Sequence, residues 1–361
     1  MNRASLDQLV NAVLYEGYLL YPYRRSTKNQ QRWMFGCVVA ESCVMGREAG
    51  QSSYTQTQCL VEVEPQGEVE IESRFLHLVD RRVAHVESVA LQDEALRDGS
   101  DRGFECVDSL EVDGTRYDSR QEAIERRFTT GYLALELLVR EPRRTCFECP
   151  AMATVESLGP AATEARAVRI DRQQALKGSI ECSARAVGDG LFLLTVRIDN
   201  LSLCGGPGCS HEQSQLHSFV STHTILAARH ARFLSSIDPP ECWKGIAAGL
   251  QNHGAWPVLV GDEQQRDTML SSPIILYDFP QVAGESPGDL FDATEIDEIL
   301  SLRVLTLSDD EKRQIRNSDD RAREILARTE MLSEDQFQKL HGAIRGMRRL
   351  NPFHRETTNT E

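Results

Sequence analysis

Apolar residues near the start of the chain recur at intervals of three and four, at Leu6, Leu9, Val10, Val13 and Leu14. This spacing places their side chains on one face of a helix, so the pattern predicts a short N-terminal helix.

The segment after this helix mixes basic and aromatic side chains. They are Tyr21, Tyr23, Arg24, Arg25, Lys28, Arg32 and Trp33. Such a segment can bind a nucleotide or RNA, or it can be a loop whose arginines pair with the chain's excess of carboxylates. The net charge favours the loop, and residues 1–54 are predicted to hold the helix and this basic-aromatic loop.

From Cys59 the period changes to two, as in a strand with one buried face. The alternating positions are Val61, Val63, Val69 and Ile71. Because Pro65-Gln66-Gly67 stands between them, the segment predicts a β-hairpin that turns there. A second hairpin is predicted where alternation over Ile180–Ala186 and Phe192–Ile198 flanks the turn Gly188-Asp189-Gly190.

The last third of the chain has a different pattern. Two short apolar runs, AWPVLVG and SSPIILYDFP, are typical of buried strands, and residues 273–276 are predicted to form the core of the second. Capping patterns at Ser308–Glu311 and Ser333–Gln336 each precede apolar residues at helical spacing, so two helices are predicted.

These patterns together predict an α+β protein. Its β-rich central part is a sandwich-like antiparallel sheet, between a short N-terminal helix and a C-terminal helical tail. The predicted units are residues 1–54, a sandwich-like domain at 55–235, an α/β segment with a two-helix tail at 236–350, and a disordered tail at 351–361.

Composition narrows the choice of partners. The chain of 361 residues has 55 acidic and 40 basic side chains and a formal charge of −15. Nucleic acid and anionic membranes both require a basic surface, so neither is expected as a partner. The sequence lacks a run of the ~18 apolar residues that span a bilayer. It also lacks a signal peptide's apolar stretch, which predicts a cytoplasmic protein with reduced cysteines.

Five residues form a candidate metal site, namely Cys146, Cys149, Cys204, Cys209 and His211. Thiolates and imidazole are the ligands that zinc takes in tetrahedral sites. However, a whole predicted hairpin separates the two groups, whereas paired zinc knuckles usually lie roughly 15–20 residues apart. Two interpretations stay open: a zinc site, and free thiols in a glycine-rich loop beside a separate CxxC pair.

The stretch ESPGDLFDATEIDE contains acidic residues and no basic one. The carboxylates are Glu285, Asp289, Asp292, Glu295, Asp297 and Glu298. Hard cations bind such oxygens, but the spacing differs from that of an EF-hand, so a solvated or partner-binding face is favoured. Within GESPG the serine precedes Pro287, which has no N–H for an oxyanion hole, so no catalytic residue is assigned.

Several long stretches resemble one family. They are AVLYEGYLLYPYRRSTKNQQRW, GDGLFLLTVRIDNLS, SFVSTHTILAA, FLSSIDPPE and the block GAWPVLVGDEQQRDTMLSSPIILYDFPQVAGESPGDLFDATEIDEILSLRVLTLSDDEK. The chain resembles an uncharacterised family encoded within bacterial NiFe-hydrogenase gene clusters of the high-affinity, oxygen-tolerant type. The resemblance implies a role in hydrogenase maturation, assembly or stability, and it carries over no catalytic residue.

The resemblance leads us to expect a non-enzymatic accessory protein that binds a hydrogenase subunit or another accessory protein of the cluster. The alternative is a metal-binding enzyme or metal donor that uses the Cys/His group or the carboxylates from Asp278 onward. The C-terminal block is expected to form the interaction face. That face comprises Asp267, Thr268, Ser271, Ser272 and Asp278 with the acidic residues from Glu285 to Glu298.

Overall fold

The structure is a computed structural model that describes residues 3–14, 36–44, 52–86, 101–158, 167–204, 211–280 and 309–316, together with 323, 326, 327, 330 and 331. The predicted basic-aromatic loop, the acidic residues from Glu285 to Glu298 and the predicted helix from Ser333 lie outside these residues.

Within the described residues the chain forms six α-helices, one short 3-10 helix at Glu241–Trp243, and thirteen strands. The helices are α1 (Arg3–Leu14), α2 (Glu41–Val44), α3 (Leu135–Arg140), α4 (His211–Leu216), α5 (Lys244–Ala247) and α6 (Asp309–Arg316). The strands are β1 (Tyr54–Val86), β2 (Phe104–Val107), β3 (Ser109–Val112), β4 (Thr115–Asp118), β5 (Arg120–Ala134), β6 (Arg143–Cys149), β7 (Met152–Leu158), β8 (Ala167–Gln173), β9 (Leu176–Gly188), β10 (Leu191–Asn200), β11 (Val220–Phe233), β12 (Trp256–Leu259) and β13 (Thr268–Ser272).

The 33-residue strand β1 organises the main sheet. Its first part pairs with β10, its middle with β11 and β5, and its end with β8 and β2. Around it the strand order is β12-β13-β11-β1-β10-β9-β6, and β7 lies beside β8. The pairings between these strands are antiparallel, which confirms the prediction of a β-rich α+β fold with an antiparallel sheet.

The predicted second hairpin is confirmed, because β9 and β10 pair around a turn in which Gly190 has a φ of +63°. The predicted first hairpin is wrong. Val63 and Glu68, on either side of the expected turn, both pair with β11, so β1 continues through residues 64–67 as a bulge. Gly67 fits there because a Cβ would lie 2.3 Å from Cγ1 of Val63.

The core lies on the inner face of the sheet, where β1, β6, β9, β10, β11 and β13 contribute apolar side chains. Four phenylalanines stack at its centre, with ring centroids 4.4 Å apart for Phe75 and Phe219 and 4.2 Å apart for Phe128 and Phe147. Such pairs stabilise beyond the area they bury. Gly178 allows this approach, since a Cβ there would lie 2.4 Å from the ring of Phe147.

Helix α1 covers the outer face of β11, β13 and β12. Its Leu6, Leu9, Val10 and Val13 pack against Ile225, Val258, Val260 and Leu270. Strands β12 and β13 belong to the same sheet as β11, so the predicted unit boundary after residue 235 falls inside the sheet. Among the described residues, no helix is both long and apolar enough to cross a bilayer.

Candidate functional site

The residues after β13 form an irregular arm that is fastened to the outer edge of β12 at Leu259, and residues 273–279 are named the edge arm. The backbone N–H of Leu259 donates to Oδ1 of Asp278 at 2.8 Å. The N–H of Phe279 donates to the carbonyl of Leu259 at 2.7 Å. These two bonds fasten the arm to the edge strand.

Side chains of the edge arm alternate between the core and solvent. Ile274 and Leu276 pack against the cluster beneath α1. Ile275 and Tyr277 point the other way and are 79% and 84% exposed. The prediction that residues 273–276 form a strand core is therefore wrong: the strand ends at Ser272, and only every second side chain of the arm is covered.

The arm and a proline close the edge of β12 to strand addition. Leu259 directs its backbone N–H and carbonyl to the arm, and Pro257, two residues earlier on the same side, has no N–H to offer. Proline and covered backbone groups are common ways of blocking an edge strand. A partner at this edge would therefore bind through side chains.

Two further exposed apolar residues lie next to the arm. Ser235 Oγ donates to Oδ2 of Asp278 at 2.5 Å and accepts the N–H of Ile237 at 3.1 Å, which links the backbone of Ile237 to the residue that fastens the arm. Trp256 pairs with Ser272, where the arm begins. We name Ile237, Trp256, Ile275 and Tyr277 the apolar edge surface; all four are exposed. Aromatic and large apolar residues exposed together are typical of protein-binding surfaces.

A row of polar side chains lies beneath α1 on the outer face of the sheet. Arg74 of β1 stands opposite His223 of β11, and His223 Nε2 lies 3.1 Å from Ser272 Oγ on β13. All three are fully buried. The row joins three neighbouring strands directly under the helix and next to the start of the edge arm.

Arg74 is the charged centre of this row. Its guanidinium pairs with Glu72 on the same strand, with Asp7 of α1 at 2.5 Å and with Glu125 of β5 at 3.9 Å. Asp7 is also 3.6 Å from Arg127. A buried arginine requires such partners, because an uncompensated charge in the interior is costly. The network therefore ties α1 to β1 and β5.

His223 is held in one neutral tautomer. Nδ1 lies 2.8 Å from the carbonyl of Ser221 and must donate to it, so Nε2 accepts from the Ser272 hydroxyl. Burial lowers the pKa of His223 to about 4, and the Ser221 carbonyl opposes this while the charge of Arg74 adds to it. The ring is thus a neutral link between β11 and β13 at neutral pH.

A second buried histidine lies on the inner face of β1. Arg126 of β5 donates from Nε to Nδ1 of His77 at 3.4 Å and from Nη2 to Gln173 at 2.7 Å. Burial, followed by the charge of Arg126, lowers the pKa of His77 to about 4. This group extends the phenylalanine core with a neutral imidazole and a paired guanidinium.

The residues predicted to form the interaction face separate into two groups. Thr268, Ser271 and Ser272 are buried in β13, and Ser271 Oγ lies 2.6 Å from Thr57 Oγ1 across the interior. Asp267 accepts from Thr268 Oγ1 at 2.8 Å. Burial prevents those three side chains of β13 from contacting a partner. They support the strand on which the edge arm rests, and Asp278 fastens that arm.

The predicted metal ligands are not brought together within the described residues. Cys146 is exposed and Cys149 is buried on β6, and positions three apart on a strand face opposite sides. Cys204 lies beside Cys43. Cys209 and the side chain of His211 lie outside the described residues. In the part of the chain that is described, no group of three or more His, Cys, Asp or Glu could hold a metal ion.

Sequence patterns missed the edge arm and the polar row. The short apolar run at residues 273–276 is typical of a buried strand, and the same run also fits an arm that covers only every second side chain. The signal for the row was Arg74 directly before the mostly apolar run at residues 75–79 of β1. A scan against protein-family models finds no match for this chain, and a search of curated proteins finds none.

Proposed function

We propose that this chain is a non-enzymatic accessory protein that acts in the maturation, assembly or stability of a NiFe-hydrogenase. It binds a hydrogenase subunit, or another accessory protein of the same gene cluster, through the apolar edge surface. The observation that supports this proposal is the outward orientation of Ile275 and Tyr277, which are 79% and 84% exposed. Both residues lie within the block on which the resemblance to the hydrogenase-cluster family rests.

Large apolar side chains such as Ile275 and Tyr277 favour binding to a partner, because their exposure to water is unfavourable. Burying a large apolar side chain stabilises a complex by about 1.5–3 kcal/mol, and aromatic residues often dominate protein interfaces. Because Asp278 and Phe279 hold the arm at the sheet edge, its outward side chains are presented on a rigid support. A pre-organised surface loses less conformational entropy on binding.

In a host that carries the hydrogenase cluster, the gene for this chain is replaced by one that encodes the double variant Ile275→Ser, Tyr277→Ser. Hydrogen uptake and processing of the hydrogenase large subunit are measured. Leu203→Ser is the matched control, because Leu203 is 83% exposed on a different segment. We expect the double variant to lose most of its maturation activity and the control to keep it.

Binding is tested in parallel with the purified chain and each purified hydrogenase subunit or cluster protein. We expect the double variant to bind one of them at least tenfold more weakly, the equivalent of about 1.4 kcal/mol. Normal hydrogenase activity after complete deletion of the gene would refute the hydrogenase role. Unchanged binding by a folded double variant would refute the apolar edge surface.

A further inference from the structure

Three segments that are distant in sequence meet at Asn200, the last residue of β10. Its side-chain amide donates to the carbonyl of Val38 at 2.7 Å and to that of His217 at 2.9 Å. Its Oδ1 accepts the N–H of Ser202 at 2.9 Å. Asn200 is buried, so these bonds fix the segment before α2, the segment after β10 and the end of α4 relative to one another.

Two thiols lie at this junction. Cys43 is in α2 and Cys204 follows Ser202 by two positions, and their side chains share a hydrogen bond. Cys43 is buried, whereas Cys204 is partly exposed. Burial raises the pKa of Cys43, the neighbouring Cys204 raises it further, and Ser214 of α4 has a smaller, opposite effect.

We propose that Cys43 and Cys204 are a redox-active pair that forms a reversible disulfide when the protein meets a peroxide. The more exposed Cys204 reacts first: its sulfur takes an oxygen atom from hydrogen peroxide, which leaves a sulfenic acid and one water. The sulfur of Cys43 then attacks the sulfenic sulfur, the S–S bond forms, and the oxygen leaves with the second proton as a second water. Two electrons pass from the thiols to the peroxide, and a dithiol reductant returns them.

The division of roles follows from the two environments. Peroxide reacts with the thiolate form of cysteine. Burial and a raised pKa keep Cys43 protonated, so Cys43 reacts slowly with peroxide itself. The same thiol needs little movement to reach a sulfenic acid on its neighbour, which makes the second step effectively intramolecular. The bond requires the sulfurs to approach to about 2.05 Å, and Asn200 already holds both segments in place. Transient disulfides of this kind are the usual form in reducing compartments.

The test uses the full-length reduced chain, treated with a small excess of hydrogen peroxide and then alkylated. Peptide mass spectrometry should find the Cys43 and Cys204 peptides joined with the loss of two hydrogen atoms, and dithiothreitol should separate them. Cys43→Ala and Cys204→Ser should each abolish the product. A folding defect in one variant leaves the other informative. Cys146→Ser and Cys242→Ser are matched controls, since both thiols are exposed, and should retain it.

A second readout is the melting temperature, which the disulfide should raise by on the order of 5–10 °C because it closes a long loop. The rise should vanish in Cys204→Ser and persist in Cys146→Ser. A disulfide between Cys204 and Cys209 would overturn the proposal. So would oxidation of Cys204 to sulfinic acid while Cys43 remains fully alkylated. Neither measurement depends on hydrogenase activity, so a failure here is distinct from a failure of the proposed function.

Discussion

Replacing Arg74 with methionine should destabilise the protein far more than an ordinary arginine substitution. The guanidinium is 0% exposed and pairs with Glu72, Asp7 and Glu125. Removing one partner of a buried ion pair costs about 3–5 kcal/mol, because the remaining charges stay desolvated. Asp7 is 30% exposed and can regain some water, so we expect a loss in the free energy of unfolding near the lower limit, about 3 kcal/mol.

The same strand provides a matched control. Arg82 also pairs through Nε with a carboxylate two residues earlier, Asp80, at 3.1 Å, but its side chain is 43% exposed. Surface pairs contribute about 0–1 kcal/mol, so Arg82→Met should change stability by less than that. Urea unfolding followed by tryptophan fluorescence measures both variants. Adding Glu72→Met to Arg74→Met should recover part of the loss, because it removes a carboxylate left without its partner.

Equal effects of Arg74→Met and Arg82→Met, to within about 1 kcal/mol, would refute the reasoning that burial sets the cost. An additional loss in the double variant would show that Glu72 has a stabilising role apart from Arg74.

Three further predictions concern pH, the edge arm and metal. Burial lowers the pKa of His77 and of His223 from 6.5 to about 4, so the unfolded chain alone binds these protons as the pH falls below 6.5. The free energy of unfolding should be highest near pH 7 and should decrease by roughly 2 kcal/mol per histidine by pH 5. Urea unfolding of the double variant His77→Gln, His223→Gln should show a weaker dependence on pH. Asp278→Ala should lower the free energy of unfolding by about 1–3 kcal/mol. It should also accelerate hydrogen exchange at the backbone amide of Leu259, which donates to Asp278. EDTA should leave the melting temperature unchanged, since Cys146 and Cys149 face opposite sides of β6; a decrease measured by differential scanning fluorimetry would favour the metal-binding alternative.

The sequence predicts a strand pair best where local pattern and turn chemistry agree. The β9–β10 hairpin has continuous alternation and a glycine turn, and its partners are neighbours in the chain. Pro65-Gln66-Gly67 has equally good turn chemistry, yet β1 continues through it because β11 pairs with both sides of the bulge. A turn signal alone does not distinguish the end of a strand from a bulge within one.

The candidate site was less predictable because its contacts are long-range. Asp7 and Arg74 are 67 positions apart, and only the packing of α1 over β1 joins them. The same holds for Ser271 and Thr57, which are 214 positions apart and meet across the interior. The sequence does not show which face a short strand buries, and the polar residues of β13, predicted to lie on a surface, are in fact buried.

The length of β1 constrains how the protein is made. Ile71 has Leu226 as its partner on one side and the β5 strand on the other, so the core of the sheet requires residues from widely separated parts of the chain. On a ribosome, β1 emerges long before β11 does, and the middle of β1 lacks this partner while the intervening residues are synthesised. Folds with such non-local pairing form slowly and expose aggregation-prone edges in the meantime. Nascent chains that stop before β11 are therefore expected to depend on chaperones, and the slow step of folding should be the docking of β11 onto β1.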